Sequence, residues 1–217
     1  MKKLLTILAV IVMASPAAAQ LVLTGVIDGP LTGGVPKAVE VTVCADVADL
    51  SAFGIGSANN GGGTDGVEWI FPAVAASAGD VLFVASEDAE FTNFFGFAPD
   101  FVVDNFAVSI NGDDAVELFD VSGVDPVVID VFGDIDVDGN GTPWEYQDGW
   151  AKRNTQTGPD GDTFMLDSWS FSGPDALDDE TDNATAVTPY PLDGYECDPN
   201  VVSSEEGSWD SIKSMYR

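Results

Sequence analysis

Short β-rich runs separated by turn residues constrain the fold of this chain more than any other feature. LVLTGVID (21–28) and KAVEVTVC (37–44) are separated by the turn cluster GPLTGGVP, and similar runs recur at 67–71, 78–86 and 125–134. Turn signals every 8 to 12 residues or so are typical of a sandwich or barrel. We therefore predict an all-β fold with a single domain, which we place at residues 20–197.

Other segments are less regular. FAVSINGDDAVELFD (106–120) predicts two strands around a tight Asn-Gly turn, because this dipeptide is a strong hairpin signal. EDAEFTNFFGF (87–97) favours one short helix over the sheet edge. GWAKRN (149–154) and DTFMLDSWSFSG (162–173) follow no clear period, and we interpret them as irregular.

The first 19 residues have the pattern of a cleavable secretory signal. Lys2 and Lys3 precede an apolar run from Leu4 to Met13, and SPAAA supplies the small residues of a cleavage site. The run is about half the ~20 residues that a membrane span needs. We predict a mature chain that starts at Gln20, contains no membrane span, and is secreted or located in the periplasm or outside the cell.

The other end of the chain differs from the β-rich part. Residues 198–207 (DPNVVSSEEG) predict a linker, and residues 208–217 (SWDSIKSMYR) predict a short amphipathic helix or tail. Ten residues cannot hold a helix alone in water. The segment therefore either docks on the domain or engages a partner. The residues that would do so are Trp209, Ile212, Lys213, Tyr216 and Arg217.

Acidic residues outnumber basic ones so strongly that some partners are disfavoured. There are 37 Asp and Glu, and removal of Lys2 and Lys3 leaves five basic residues and a net charge of −32. Such a surface repels phosphate backbones and anionic lipids, so direct nucleic-acid binding is not expected. Adaptation to a salty medium and specific calcium binding both explain this charge, and they are compatible.

The cysteine and histidine content limits the chemistry. Cys44 and Cys197 are the only cysteines, and in an exported protein such a pair predicts a disulfide. It would close a loop of roughly 150 residues, worth on the order of 5 kcal/mol in the chain-entropy model. The chain has no His, which excludes His-based triads and His-based metal centres. We expect a protein without catalytic activity.

DIDVDGNGTPWE (134–145) has the spacing of the calcium loop of an EF-hand. The preceding segment reads as a strand, and Gly141 and Pro143 depart from the EF-hand pattern, so the EF-hand fold itself is not expected. Two interpretations remain: a weak calcium site with Kd ~10⁻⁴–10⁻³ M, or a solvated acidic turn. In the calcium interpretation the ligands are Asp134, Asp136, Asp138, Asn140 through its backbone carbonyl, and Glu145.

VSINGDDAVELF and VVIDVFGDIDVDGNGTPWEYQDGWAKR resemble the lamin-tail domain of bacterial secreted proteins, some of which contain extracellular nucleases. The resemblance covers roughly residues 21–191. It implies an immunoglobulin-like β-sandwich without catalytic residues. It also implies that Arg153 closes the domain, and we expect a salt bridge from Arg153 or Lys152 to a nearby carboxylate.

These observations favour an exported, non-catalytic binding or structural module at the cell surface or in the extracellular matrix. Its partner would be an unknown protein or polysaccharide. One alternative is an accessory module of secreted nucleases or other hydrolases, recruited through residues 208–217. Another is a carbohydrate-binding β-sandwich that uses Trp144, Trp150 and Trp169 as a stacking platform.

Overall fold

Ten strands and one α-helix make up the regular structure of residues 20–103 and 106–199, which are the residues that the computed structural model describes. The predicted signal (1–19), nearly all of the predicted linker and the whole predicted tail (208–217) lie outside them. In chain order the elements are β1 (Leu21–Leu31), β2 (Val35–Val43), β3 (Phe53–Ala58), β4 (Trp69–Ile70), β5 (Val81–Ala85), α1 (Asp88–Phe95), β6 (Phe101–Val102), β7 (Ala115–Asp120), β8 (Val127–Phe132), β9 (Gly149–Arg153) and β10 (Trp169–Phe171).

The strands form two sheets. The larger sheet has the order β10-β9-β1-β2-β5-β6, and the smaller sheet has the order β4-β3-β7-β8. Neighbouring strands are antiparallel except for β5 and β6, which are parallel. The prediction of a mostly β chain with short strands is confirmed.

The main hydrophobic core lies between the two sheets. Strand side chains alternate between the two faces of a sheet, so every second residue of a strand points into this space. Both sheets contribute fully or almost fully buried side chains: Leu21, Leu23, Val39 and Val41 from the larger sheet, and Phe53, Ile55, Val116 and Leu118 from the smaller one. The architecture is therefore sandwich-like.

A second apolar layer covers the outer face of the larger sheet. The predicted short helix is confirmed as α1, which buries Phe91, Phe94 and Phe95 against Phe83 of β5 and neighbouring residues. Gly96 ends the helix with a φ of +80°, and its N–H donates to the carbonyl of Thr92 at 2.9 Å. A residue in this left-handed conformation is a common helix terminator.

The hairpin prediction for residues 106–120 is wrong. A 3₁₀ turn (Phe106–Val108) replaces the first strand, and β7 pairs with β3 and β8 instead. Val108 and Ile110 are fully buried in the main core, so this segment fills space between the sheets. Asp114 accepts a hydrogen bond from the N–H of Asn111, which holds the Asn-Gly pair in a loop.

The prediction of irregular structure is also wrong for two segments. Residues 149–153 form β9, an interior strand between β1 and β10, and residues 169–171 form β10. Lys152 and Arg153 of β9 are both buried. Their charges made the strand difficult to predict from the sequence, because buried strands are usually recognised as apolar runs.

The predicted disulfide is confirmed. Cys44, which directly follows β2, is bonded to Cys197, with a Cα–Cα distance of 5.7 Å and a sequence separation of 153. Beside it, the Tyr195 hydroxyl donates to the carbonyl of Thr157, and the N–H of Glu196 donates to the hydroxyl of Thr155 at 2.9 Å. The disulfide and these bonds fix the segment 193–197 to the larger sheet and the loop after β9.

Candidate functional site

Three polar loops that are distant in sequence meet at one end of the two-sheet body. We call this region, residues 59–66, 111–114 and 134–148, the acidic end. The N–H of Asn60 donates to Asp114 at 2.9 Å, the N–H of Gly139 donates to the carbonyl of Asp113 at 3.0 Å, and the N–H of Gly63 donates to the carbonyl of Ile135 at 2.9 Å. Each pair of loops is therefore hydrogen bonded directly.

Glycine makes this close packing possible. A Cβ atom added to Gly61 would lie 2.4 Å from the backbone nitrogen of Asp138, and one added to Gly139 would lie 2.6 Å from the carbonyl oxygen of Asp113. Real Cβ atoms do not approach other atoms so closely. The glycine-rich composition of NNGGGTDG and DGNG thus serves contact between loops.

The predicted calcium ligands are distributed along the surface of the acidic end. Three of their carboxylates accept hydrogen bonds from backbone N–H groups of the same loop. The donors are Asp136 to Asp134 (3.1 Å), Asn140 to Asp138 (3.0 Å) and Gly141 to Glu145 (2.9 Å). Four of them are exposed and Glu145 is half-buried. They do not belong to a group of three or more carboxylates whose oxygens all lie within 4.8 Å among the described residues.

Asp113, which was not among the predicted ligands, lies close to two of them, Asp138 and Glu145. Burial raises the pKa of its carboxyl group, and the nearby charges of Asp114, Asp138 and Glu145 raise it further. Its Oδ1 atom is enclosed and has no hydrogen-bond partner. Asp113, Asp138 and Glu145 therefore form a corner in which negative charges face one another across two loops.

Asp114 and Tyr146 form the buried floor of this corner. Asp114 is 1% exposed, and burial raises its pKa although two backbone N–H groups donate to it. The hydroxyl of Tyr146 donates to the carbonyl of Asp114 at 3.0 Å. Burial raises the pKa of Tyr146 well above its ordinary value, and the charges of Asp114, Asp28 and Asp113 add to this effect.

A second carboxylate group lies at the edge of the acidic end. Ligand oxygens of Asp148, Asp175 and Asp178 all lie within 4.8 Å of one another. Burial raises the pKa of Asp148, and the charges of Asp178 and Asp175 raise it further. Backbone hydrogen bonds from Asp175 to Gln147 and from Leu177 to Asp148 bring the two segments together. Sequence reasoning missed this group because Asp148 is distant in the chain from Asp175 and Asp178, and the three follow no motif.

Every basic side chain among the described residues forms an ion pair, and most of these ion pairs are buried. The expected salt bridges of Lys152 and Arg153 are confirmed. The pairs are Lys37–Asp28 (2.8 Å), Lys152–Glu40 (2.6 Å), Arg153–Asp130 (2.6 Å) and Arg153–Asp160 (2.7 Å). The described surface therefore presents acidic groups without basic ones to balance them.

The tryptophans proposed for sugar stacking are interior residues. Trp144, Trp150 and Trp169 are 5%, 8% and 5% exposed, so none presents a ring face to a saccharide. Asn183-Ala184-Thr185 matches a glycosylation sequon, but Asn183 is buried as well, and its amide exchanges hydrogen bonds with the backbone of Tyr190. Neither feature is available on the folded surface.

A cleft of about 250 Å³ lies between the end of β9, β10 and the segment 191–195. Lys152 and Arg153 contribute to its lining, and both are already ion-paired. The cleft is therefore not a free anion site.

No protein-family model, curated protein or solved structure matches this chain. Within residues 20–103 and 106–199, no helix has both the length and the apolar character needed to cross a membrane.

Proposed function

We propose that this chain is an exported, non-catalytic binding or structural module of the lamin-tail type, stabilised by calcium at its acidic end. It acts at the cell surface or in the extracellular matrix, where its partner is a protein or a polysaccharide. The acidic end is the part of the molecule that takes up the ion.

One observation carries the calcium part of this proposal. The enclosed, unpartnered Oδ1 of Asp113 lies in a corner with Asp138 and Glu145, where burial, and then neighbouring charges that include these two, raise the pKa of the Asp113 carboxyl group. Ca²⁺ prefers several carboxylate and carbonyl oxygens in a flexible cage. A bound ion would supply the positive charge that the described basic residues, committed elsewhere, do not supply.

Two features support the lamin-tail assignment. The described chain forms two packed sheets with its core between them, as an immunoglobulin-like sandwich requires. Arg153 pairs with Asp130 of the opposite sheet, which fits the closing role that the resemblance assigns to it.

The test is thermal unfolding of the mature chain with and without calcium. Calcium at about ten times Kd contributes ~1.4 kcal/mol to the free energy of unfolding. That corresponds to a rise in Tm of roughly 3–5 °C for a chain of this size. The Asp138→Asn/Glu145→Gln variant should show a smaller rise than the wild type, because it removes two charges from the corner.

The matched control is Asp125→Asn/Asp162→Asn, which removes the same charge from exposed positions outside the acidic end. It should keep the calcium response of the wild type. Equal calcium responses of both variants and the wild type would contradict calcium binding at the acidic end. Hydrolysis of nucleic acid or polysaccharide by the purified chain, lost on substitution of a single carboxylate, would contradict the non-catalytic part.

A further inference from the structure

Glu117 is a buried carboxylate on the outer face of the smaller sheet. Its neighbours in β7, Val116 and Leu118, point into the main core, so Glu117 points the opposite way. It is nevertheless only 2% exposed, and its Oε2 atom is enclosed without a hydrogen-bond partner. An acidic group in this situation demands a compensating charge or proton.

The segment 64–69 covers Glu117. It lies over β3 at two glycines: a Cβ atom added to Gly56 would lie 2.2 Å from the carbonyl oxygen of Gly66, and one added to Gly54 would lie 2.6 Å from Val67. Gly56 is directly opposite Glu117 in the β3–β7 register. Since side chains of opposite residues are neighbours on a sheet, the Gly66 carbonyl lies beside the Glu117 side chain.

The surroundings of this carboxylate are rich in oxygen. The Thr64 hydroxyl hydrogen-bonds to Glu117 and also accepts from the N–H of Gly66 at 3.2 Å. Asp65 is close enough for its charge to raise the pKa of Glu117, which burial already raises. The basic side chains of the described residues are all paired with other carboxylates.

We propose that the carboxylates of Glu117 and Asp65, the hydroxyl of Thr64 and the carbonyl of Gly66 bind a calcium ion beneath the segment 64–69. This site is independent of the loop at residues 134–145. Two carboxylates match the double charge of the ion, and hydroxyl and carbonyl oxygens are common calcium ligands. Magnesium demands near-ideal octahedral geometry, which is less readily met by this set of two carboxylates, a hydroxyl and a carbonyl than the flexible coordination of calcium.

The test is calorimetric titration of the mature chain with calcium chloride, in the Asp138→Asn/Glu145→Gln background so that the loop site does not contribute. We expect binding to remain in this background. Adding Glu117→Gln or Asp65→Asn should weaken it by roughly tenfold or more, because each removes a charged ligand. Asp125→Asn is the matched control and should leave it unchanged.

Two results would overturn the proposal: unchanged calcium affinity in Glu117→Gln, or unchanged calcium affinity in Asp65→Asn. If Glu117 is held as a neutral acid, Glu117→Gln keeps wild-type calcium affinity and folds equally well without calcium. Should Glu117→Gln fail to fold, Asp65→Asn still decides, since Asp65 is exposed on the covering segment. Unchanged affinity in Asp65→Asn excludes the site, whatever happens at the loop.

Discussion

Arg153 supplies hydrogen bonds that a neighbouring strand would otherwise supply. The pairing of β9 with β1 begins at Gly25, so the backbone of Leu23 has no strand partner on that side. The Nε of Arg153 donates to the carbonyl of Leu23 at 2.7 Å, and Asp130 accepts from the N–H of Leu23 at 2.9 Å. Because β8 and β9 belong to different sheets, this ion pair joins the sheets and completes the backbone hydrogen bonding.

Arg153→Lys tests this role while the charge is kept. Lys has no planar fork and cannot reach Leu23, Asp130 and Asp160 at once. We expect a loss of roughly 2–4 kcal/mol in the free energy of unfolding, from two charge-assisted hydrogen bonds. The exchange Lys37→Arg, at a site 16% exposed, should change it by less than ~1 kcal/mol. Urea denaturation of the three proteins measures both, and equal midpoints would refute the role.

Individual site residues were only partly predictable from the sequence. The acidic loop identified Asp138 and Glu145, because local spacing places them near each other. Asp113 and Glu117 were not identified as sites. The surroundings of such a carboxylate are set by another loop: residues 134–148 for Asp113 and the segment 64–69 for Glu117, both distant from them in the chain.

At the scale of elements, apolar strands were predictable and charged strands were not. The β-rich runs between turn residues predicted the β1, β2, β5 and β8 regions, and EDAEFTNFFGF was interpreted as the short helix that is now α1. β9 was missed because Lys152 and Arg153 look like surface residues. Their burial depends on Glu40 of β2 and Asp130 of β8, which only the folded topology brings near.

The fit of the segment 64–69 onto β3 yields an element-scale prediction. Gly56→Ala places a methyl group where the Gly66 carbonyl lies, so the segment must lift. Overpacking of this kind costs about 1–3 kcal/mol. We expect a lower Tm and weaker calcium binding at the Glu117 site. Gly123→Ala is the control: its methyl group meets only ordinary contact at 3.5 Å, and its φ is not in the left-handed region.

At the scale of the whole described structure, residues 20–103 and 106–199, the basic groups are internal while most carboxylates are exposed or half-buried. The described basic groups lie in ion pairs with side chains mostly or fully buried, while the mature chain is expected to hold a net charge of −32. Repulsion among surface carboxylates opposes the compact state and is reduced by salt, divalent cations or protons. The disulfide between Cys44 and Cys197 acts against the same expansion by shortening the unfolded chain.

This distribution of charge predicts that mild acid stabilises the fold. Burial raises the pKa of Asp28 and of Asp130 to about 6, from 3.8, although Lys37 and Arg153 lower it. The folded state then binds protons more tightly than the unfolded state, so stability increases as the pH falls from about 7 towards 5. Each group contributes on the order of 1 kcal/mol, and reduced surface repulsion adds to this.

We therefore expect Tm, measured in low salt with a chelator, to be higher near pH 5 than near pH 7.5. The slope should become smaller in Asp28→Asn, because one of the carboxyl groups with a raised pKa is then absent from both states. High salt should reduce the part that arises from surface repulsion and leave the part that arises from the buried groups. A Tm that falls steadily between pH 7.5 and 5 would mean that the ionised forms of Asp28 and Asp130 are the stable ones, held by Lys37 and Arg153 more strongly than burial disfavours them.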